Sequence, residues 1–125
     1  MVDEKLILKS LIFVYGSLKR GYALHHLLET QVSRGDAVTQ PLYRIFDLGY
    51  YPGLVDWPDG LEIKGELYEI DATCLNRLDD SEGVDDGFYA RRAVLLKSPH
   101  DDLNVHAWFW LHPVNGCRDC GSEWG

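Results

Sequence analysis

No segment of this chain stays apolar for the ~20 residues that a membrane-spanning helix requires, so no membrane partner is expected. Positive charge is also scarce. Twelve Lys and Arg stand against twenty Asp and Glu, a formal net charge of -8. Affinity for a phosphate backbone is carried mostly by clustered Lys and Arg, and the two basic pairs, Lys19-Arg20 and Arg91-Arg92, suit a solvated rim, so no nucleic-acid partner is expected either. Cysteine is sparse and odd in number. Cys74, Cys117 and Cys120 cannot all pair, which fits a reducing compartment. Met1-Val2-Asp3-Glu4-Lys5 opens acidic, and the apolar segment after it is broken by Lys9 and Ser10, so it does not resemble a signal peptide and a cytoplasmic location is expected. There is no repeat, linker or low-complexity segment. The 125 residues suit one domain with its own core, spanning about 11–111, and an irregular tail over 112–125.

What is present centres on Leu11-Ile12-Phe13-Val14-Tyr15-Gly16-Ser17-Leu18-Lys19-Arg20-Gly21. Residues 11–14 are branched or aromatic without interruption, as in a strand buried on both faces. Gly16 ends the run. Lacking a Cβ, it lets the backbone turn and lets a ligand approach the main-chain N–H groups that follow. A tight turn leaving a core strand is the plainer alternative. Three known loops are excluded. A P-loop needs Lys where Tyr22 stands, a dinucleotide fingerprint needs Gly where Leu18 stands, and a serine-nucleophile elbow needs a residue between its Gly and Ser, whereas Ser17 follows Gly16 directly.

Further along, Ala23–Glu29 suits a short helix, whose adjacent His25 and His26 face differently and make a poor metal pair, with Gly35 ending that unit. Residues 36–48 suit an extended strand with Pro41 at an edge or bulge. A turn at 49–53 leads into another strand, and Trp57-Pro58-Asp59-Gly60 is a second turn. Leu61 to Ile70 alternates as a strand, with Gly65 at a bulge or a close backbone approach. Asp71 is a candidate N-cap for a helix carrying Leu75 and Leu78 on one face. Strands over 88–97 and 103–111 follow. The order strand, helix, three strands, helix, two strands lacks regular alternation, which favours an α+β fold with a mixed sheet closing toward a barrel.

Asp79, Asp80, Glu82, Asp85 and Asp86 crowd one short segment. A solvated acidic turn accounts for them as well as any function does, and Ser81 and Gly83 occupy positions where a calcium loop needs ligands. Glu82 stands out. Neighbouring carboxylates and a helix C-terminus both disfavour its ionised form, raising its pKa toward the range of a general base. Cys117-Arg118-Asp119-Cys120 has redox or zinc spacing but no second pair, so neither metal nor cofactor is expected.

Five ordered motifs, Phe13 to Gly21, Tyr51-Pro52-Gly53-Leu54, Gly65-Glu66-Leu67-Tyr68, Leu78-Asp79-Asp80-Ser81-Glu82 and Tyr89-Ala90-Arg91, resemble the γ-glutamylcyclotransferase-like superfamily, in particular the γ-glutamylamine cyclotransferase branch and its small bacterial relatives. Gly121-Ser122-Glu123-Trp124 is similar to the Gly-Asp-Trp ending of such members. The resemblance implies a small mixed β-barrel flanked by short helices, with a cavity at one mouth. It further implies that Tyr15, Gly16, Ser17 and Leu18 hold a γ-glutamyl group, that Glu82 is the base, and that Tyr89 lines the cavity. The segment 83–87 before Tyr89 departs from the pattern in length.

The implied chemistry is an intramolecular attack of the substrate's α-amine on its γ-carbonyl, releasing 5-oxoproline and an amine without a cofactor. Such an enzyme is of lyase or acyltransferase type. A member that only binds a small carboxylate metabolite, or serves as an interaction domain, is the alternative.

Overall fold

The computed structural model describes residues 9–124; the reading of the first five residues as unlike a signal peptide lies outside them. Within the described residues eight strands form one mixed sheet: β1 (Lys9–Val14), β2 (Val32–Val38), β3 (Tyr43–Asp47), β4 (Pro52–Asp56), β5 (Lys64–Asp71), β6 (Tyr89–Val94), β7 (Val105–Trp110) and β8 (Arg118–Asp119). Among the described residues one helix, α1 (Ala72–Ser81), and a single 3₁₀ turn, His25–Leu28, accompany it. No described helix is long and apolar enough to cross a membrane.

β1 lies at the centre, antiparallel to β5 and parallel to β7. Its alternating side chains are divided between two cores. Phe13 joins Ile45, Leu54, Leu67 and Phe109 on one face, while Ile12 and Val14 join Leu28, Tyr68, Ile70, Leu78 and Trp108 on the other, beneath α1 and the 3₁₀ turn. This explains the unbroken apolar run, since a strand covered on both sides has no polar face.

β7 is the branch point of the sheet. β6 pairs along one whole edge of it, from Tyr89–Trp110 to Val94–Val105. The other edge is shared: β1 takes Val105 and His106, and β4 takes Phe109. Where β1 leaves and β4 arrives, Tyr15 fills the gap, its hydroxyl donating to the Trp108 carbonyl at 2.7 Å and accepting from the Leu54 N–H at 3.2 Å.

The expected barrel does not close. The path β2-β5-β1-β7-β4-β3-β8 keeps β2 and β8 as ends, and isolated bridges at Thr39–Leu96 and Tyr43–Leu61 are the nearest approach to closure. Pro41, which has no N–H to give a ladder, lies between β2 and β3, so the extended segment expected over 36–48 is two strands. Gly35 sits inside β2, at a register shift between Ser33 and Asp36, rather than ending a unit. The helix expected over 23–29 is reduced to one 3₁₀ turn, and the tail is not wholly irregular, because β8 pairs with Phe46 and Asp47 of β3.

Other local expectations are met. A Cβ on Gly65 would lie 2.3 Å from the Val14 carbonyl, the close approach that only glycine permits. Asp71 caps α1, its Oδ1 accepting the Cys74 N–H at 2.8 Å. Asp71→Ala is expected to cost about 1 kcal/mol of stability, measured by urea titration at neutral pH.

Candidate active site

At the carboxyl end of β1 lies a cavity of about 500 Å³ whose walls include all six residues singled out in the sequence: Tyr15, Gly16, Ser17, Leu18, Glu82 and Tyr89. They arrive from three directions. The loop after β1 supplies four, the end of α1 supplies Glu82, and the start of β6 supplies Tyr89.

The loop is pinned on several sides. Lys19 N–H donates to the Gly16 carbonyl at 3.0 Å, Leu24 N–H to the Ser17 carbonyl at 2.8 Å, and His25 Nδ1 lies 3.0 Å from the Leu18 carbonyl. Glu66, buried within β5, accepts the Arg20 N–H at 3.0 Å and the Tyr68 hydroxyl at 2.9 Å. The N–H groups of Gly16, Ser17 and Leu18 donate to nothing among the described residues. Three successive backbone donors therefore stand free in a cavity wall, an arrangement suited to an anion or a developing oxyanion. Gly16 has an ordinary negative φ. Its glycine is required by contact instead, because a Cβ there would come within 2.5 Å of Pro52 Cγ.

Glu82 owes its place to the way α1 ends. Gly83, at φ +66°, follows the C-cap; its N–H donates to the Asp80 carbonyl at 3.1 Å, and the Val84 N–H donates to the Asp79 carbonyl at 3.1 Å. These are the paired bonds of a Schellman ending, in which glycine takes the left-handed position at no steric cost. The helix is anchored one turn earlier by Asp79. Its Oδ1 accepts from Arg91 Nε at 3.0 Å and from Trp108 Nε1 at 2.9 Å, while Arg91 Nη1 donates to His106 Nδ1 at 3.0 Å.

The Glu82 carboxyl is pushed up to about 7. The sequence suggested crowding by other acids. The cause is burial alone, since the cavity removes water and no protein donor replaces it.

Tyr89 packs edge-on against Trp110, and its hydroxyl donates to the Pro52 carbonyl at 2.8 Å. Burial, with the nearby Glu82 charge, holds its pKa well above the ordinary value. Tyr15 is raised likewise, chiefly by burial. Both hydroxyls are thus engaged in the fold, and each phenol offers the cavity an aromatic ring.

Several wall residues were not singled out from the sequence. Tyr51, Pro52 and Asp80 lay in recognised motifs without a role, and Asp86 was noted only as a member of an acidic segment. Phe88, Trp108 and Trp110 went unnoticed, although Trp108 and Trp110, two apart on a strand, must share a face. The indole Nε1 of Trp110 is buried with no acceptor. Among the described residues no three His, Cys, Asp or Glu side chains gather as a metal site, and Cys117 and Cys120 flank β8 as free thiols.

A family model described as Gamma-glutamyl cyclotransferase, AIG2-like matches residues 12–124. A Vibrio cholerae protein provisionally named gamma-glutamylcyclotransferase is 31% identical over 115 residues, covering 92% of this chain and 96% of that one. An Arabidopsis thaliana protein, At3g02910, bears the same provisional name and is 37% identical over 95 residues, 70% of this chain; the match spans about half, 51%, of that relative's length. The crystal structure of an AIG2-like protein from Mus musculus superposes with a TM-score of 0.79 at 27% identity, covering 91% of this chain and 87% of that one. With a family match running from the central strand to the end of the described tail, the chain belongs to the gamma-glutamyl cyclotransferase, AIG2-like family.

Proposed function

We propose that the protein is a γ-glutamyl cyclotransferase acting on γ-glutamyl amines, with Glu82 as its general acid and base and no cofactor. The observation that carries this reading is the pairing, in one cavity, of a carboxyl raised to about 7 with three unoccupied backbone N–H groups. In this reaction the substrate's α-nitrogen forms a bond to its own γ-carbon, the γ-carbon to amine bond breaks, and the products are 5-oxoproline and a free amine. Because the nucleophile belongs to the substrate, holding the folded-back conformer supplies much of the rate.

The substrate's α-ammonium has a pKa of about 8, so its proton must leave before the nitrogen can attack. Glu82 takes that proton when ionised and returns it to the departing amine nitrogen. Gly16, Ser17 and Leu18 offer their N–H groups to the α-carboxylate or to the oxygen of the tetrahedral intermediate. Ser17 has no part as a nucleophile, and its hydroxyl enters no hydrogen bond among the described residues.

Incubation with γ-glutamyl-lysine linked through the side-chain amine is expected to give 5-oxoproline and lysine in equal amounts, read by chromatography. The N-acetylated substrate, whose α-nitrogen can no longer attack, should give neither. Glutamate in place of 5-oxoproline would make the protein a hydrolase. Failure of a broad γ-glutamyl panel, with 5-oxoproline still raising the melting temperature, would make it a metabolite binder.

A further inference from the structure

The loop that carries the free N–H groups is tied to remote parts of the fold at two buried points. One is β5, where Glu66 accepts the Arg20 N–H at 3.0 Å; the exposed Arg20–Asp36 pair adds little to it. The other is the tail. Lys19 Nζ donates to the Trp124 carbonyl at 2.7 Å, and the Tyr22 hydroxyl donates to the same oxygen at 3.2 Å. Lys19, expected at a solvated rim, is only 5% exposed, and its ammonium lies 4.7 Å from the centre of the Tyr22 ring. Burial lowers its pKa, while Glu123 and Glu66 oppose that by favouring the charged form.

The tail is placed by contacts of its own. β8 pairs with β3, the Cys120 N–H donates to the Ile45 carbonyl at 2.9 Å, and the Lys64 N–H donates to the Ser122 carbonyl at 2.8 Å. Gly121, at φ +73°, makes the turn between these contacts, and the Trp124 side chain packs against the core that holds Phe13 and Tyr15. The Trp124 carbonyl is therefore a fixed point. A hydrogen bond from a charged donor is about twice as strong as a neutral one, so Lys19 can hold the loop against it. By contrast, the bonds from Lys19 N–H to Gly16 and from Leu24 N–H to Ser17 close within the loop, fixing its shape and not its place.

We infer that the tail braces this loop from behind, and that Lys19 is a positioning residue that sets the Gly16, Ser17 and Leu18 N–H groups through its bond to the Trp124 carbonyl. Lys19, Tyr22 and Trp124 do not line the cavity, so they act on a bound molecule only through the loop. What the loop holds rests on the cyclotransferase reading; the brace itself does not.

Lys19→Met keeps the buried stem and removes the donor, and Trp124→Ala removes the anchor of the carbonyl. At a temperature where every variant is fully folded by circular dichroism, each should lower kcat/KM for γ-glutamyl-lysine and weaken 5-oxoproline binding by about tenfold, less than the roughly hundredfold of a full 1 Å displacement. The double variant should lose about the same tenfold and not the hundredfold of independent losses, because both substitutions break one contact. The pH at which kcat/KM rises should stay near 7, since Glu82 is held by α1. In nitrogen-15-labelled protein Trp124→Ala should shift the amide resonances of Gly16, Ser17 and Leu18, and should shift them less in the Lys19→Met background. Gly121→Val strains the turn at that positive φ while leaving the core intact, and makes the same test should Trp124→Ala not fold. Losses that multiply, either single variant within twofold of wild type, or amide resonances at 16–18 that ignore the tail substitution overturn the brace. If the coupled amide shifts appear while no γ-glutamyl compound is turned over, the brace stands and the cyclotransferase reading falls.

Discussion

Glu82→Gln is expected to remove turnover, lowering kcat by about a thousandfold, while the protein stays folded. A positioned general base contributes roughly 10²–10⁴-fold, and glutamine keeps the size and loses the basicity. The same substitution should stabilise the protein, and the pH at which it does so follows from the burial. In the folded chain Glu82 titrates at about 7, above the roughly 4.3 of an unfolded glutamate. Between those values the native state holds more protons than the unfolded one, so the wild type loses stability as pH rises through that window and does not regain it above. The variant carries no charge to bury. Its stability should match that of the wild type near pH 4 and exceed it at pH 8, by on the order of 1–2 kcal/mol once screening by cavity water is allowed for. Wild-type kcat/KM should rise with pH through about 7, because protonated Glu82 cannot accept the ammonium proton, and fall again above about 8, where the free substrate has lost the proton that Glu82 passes to the leaving amine. Near-normal kcat in the variant would remove Glu82 from the reaction, and equal stability of the two proteins at pH 8 would contradict the burial of its charge.

The parts of this fold that could be seen in the sequence are those decided within a few residues. The run from Leu11 to Val14 had to be a doubly covered strand because it has no polar alternation, and Asp71 was legible as a cap because its short side chain reaches the N–H three residues on. Glu82 and the Gly16 loop were visible as motifs, yet the causes of their behaviour were not. The pKa of Glu82 depends on walls contributed by β1, β4, β6 and β7, and Gly16 is glycine because Pro52, far along the chain, presses on it. The Asp79–Arg91–Trp108 network was likewise invisible, since an acid followed by more acids gives no hint that one of them faces a basic strand and an indole. Barrel closure failed as an expectation for a related reason. Alternation tells which face of a strand is buried and says nothing of which strands end the sheet, here β2 and β8.

Gly16→Val is expected to cost at least about a hundredfold in kcat/KM. The first carbon it adds would sit 2.5 Å from Cγ and 3.0 Å from Cδ of Pro52, and one side must yield. Pro52 is poorly able to. It opens β4, its partner across the ladder is Asp47, and its carbonyl accepts the Tyr89 hydroxyl at 2.8 Å. The loop must therefore move, and the free N–H groups of Gly16, Ser17 and Leu18 move with it; a displacement of about 1 Å at a binding site can cost a hundredfold in rate. Overpacking of this kind also lowers stability by about 1–3 kcal/mol. Gly16→Ala, which adds only the first carbon, should fall between wild type and valine, and 5-oxoproline should bind each variant more weakly in the same order. Ser17→Ala gives the contrast, with kcat/KM within about threefold of wild type, because that hydroxyl holds nothing. If valine at position 16 leaves 5-oxoproline affinity unchanged, the backbone donors of this loop do not hold the γ-glutamyl group. If Ser17→Ala is as damaging as Glu82→Gln, the nucleophile is not the substrate's own amine.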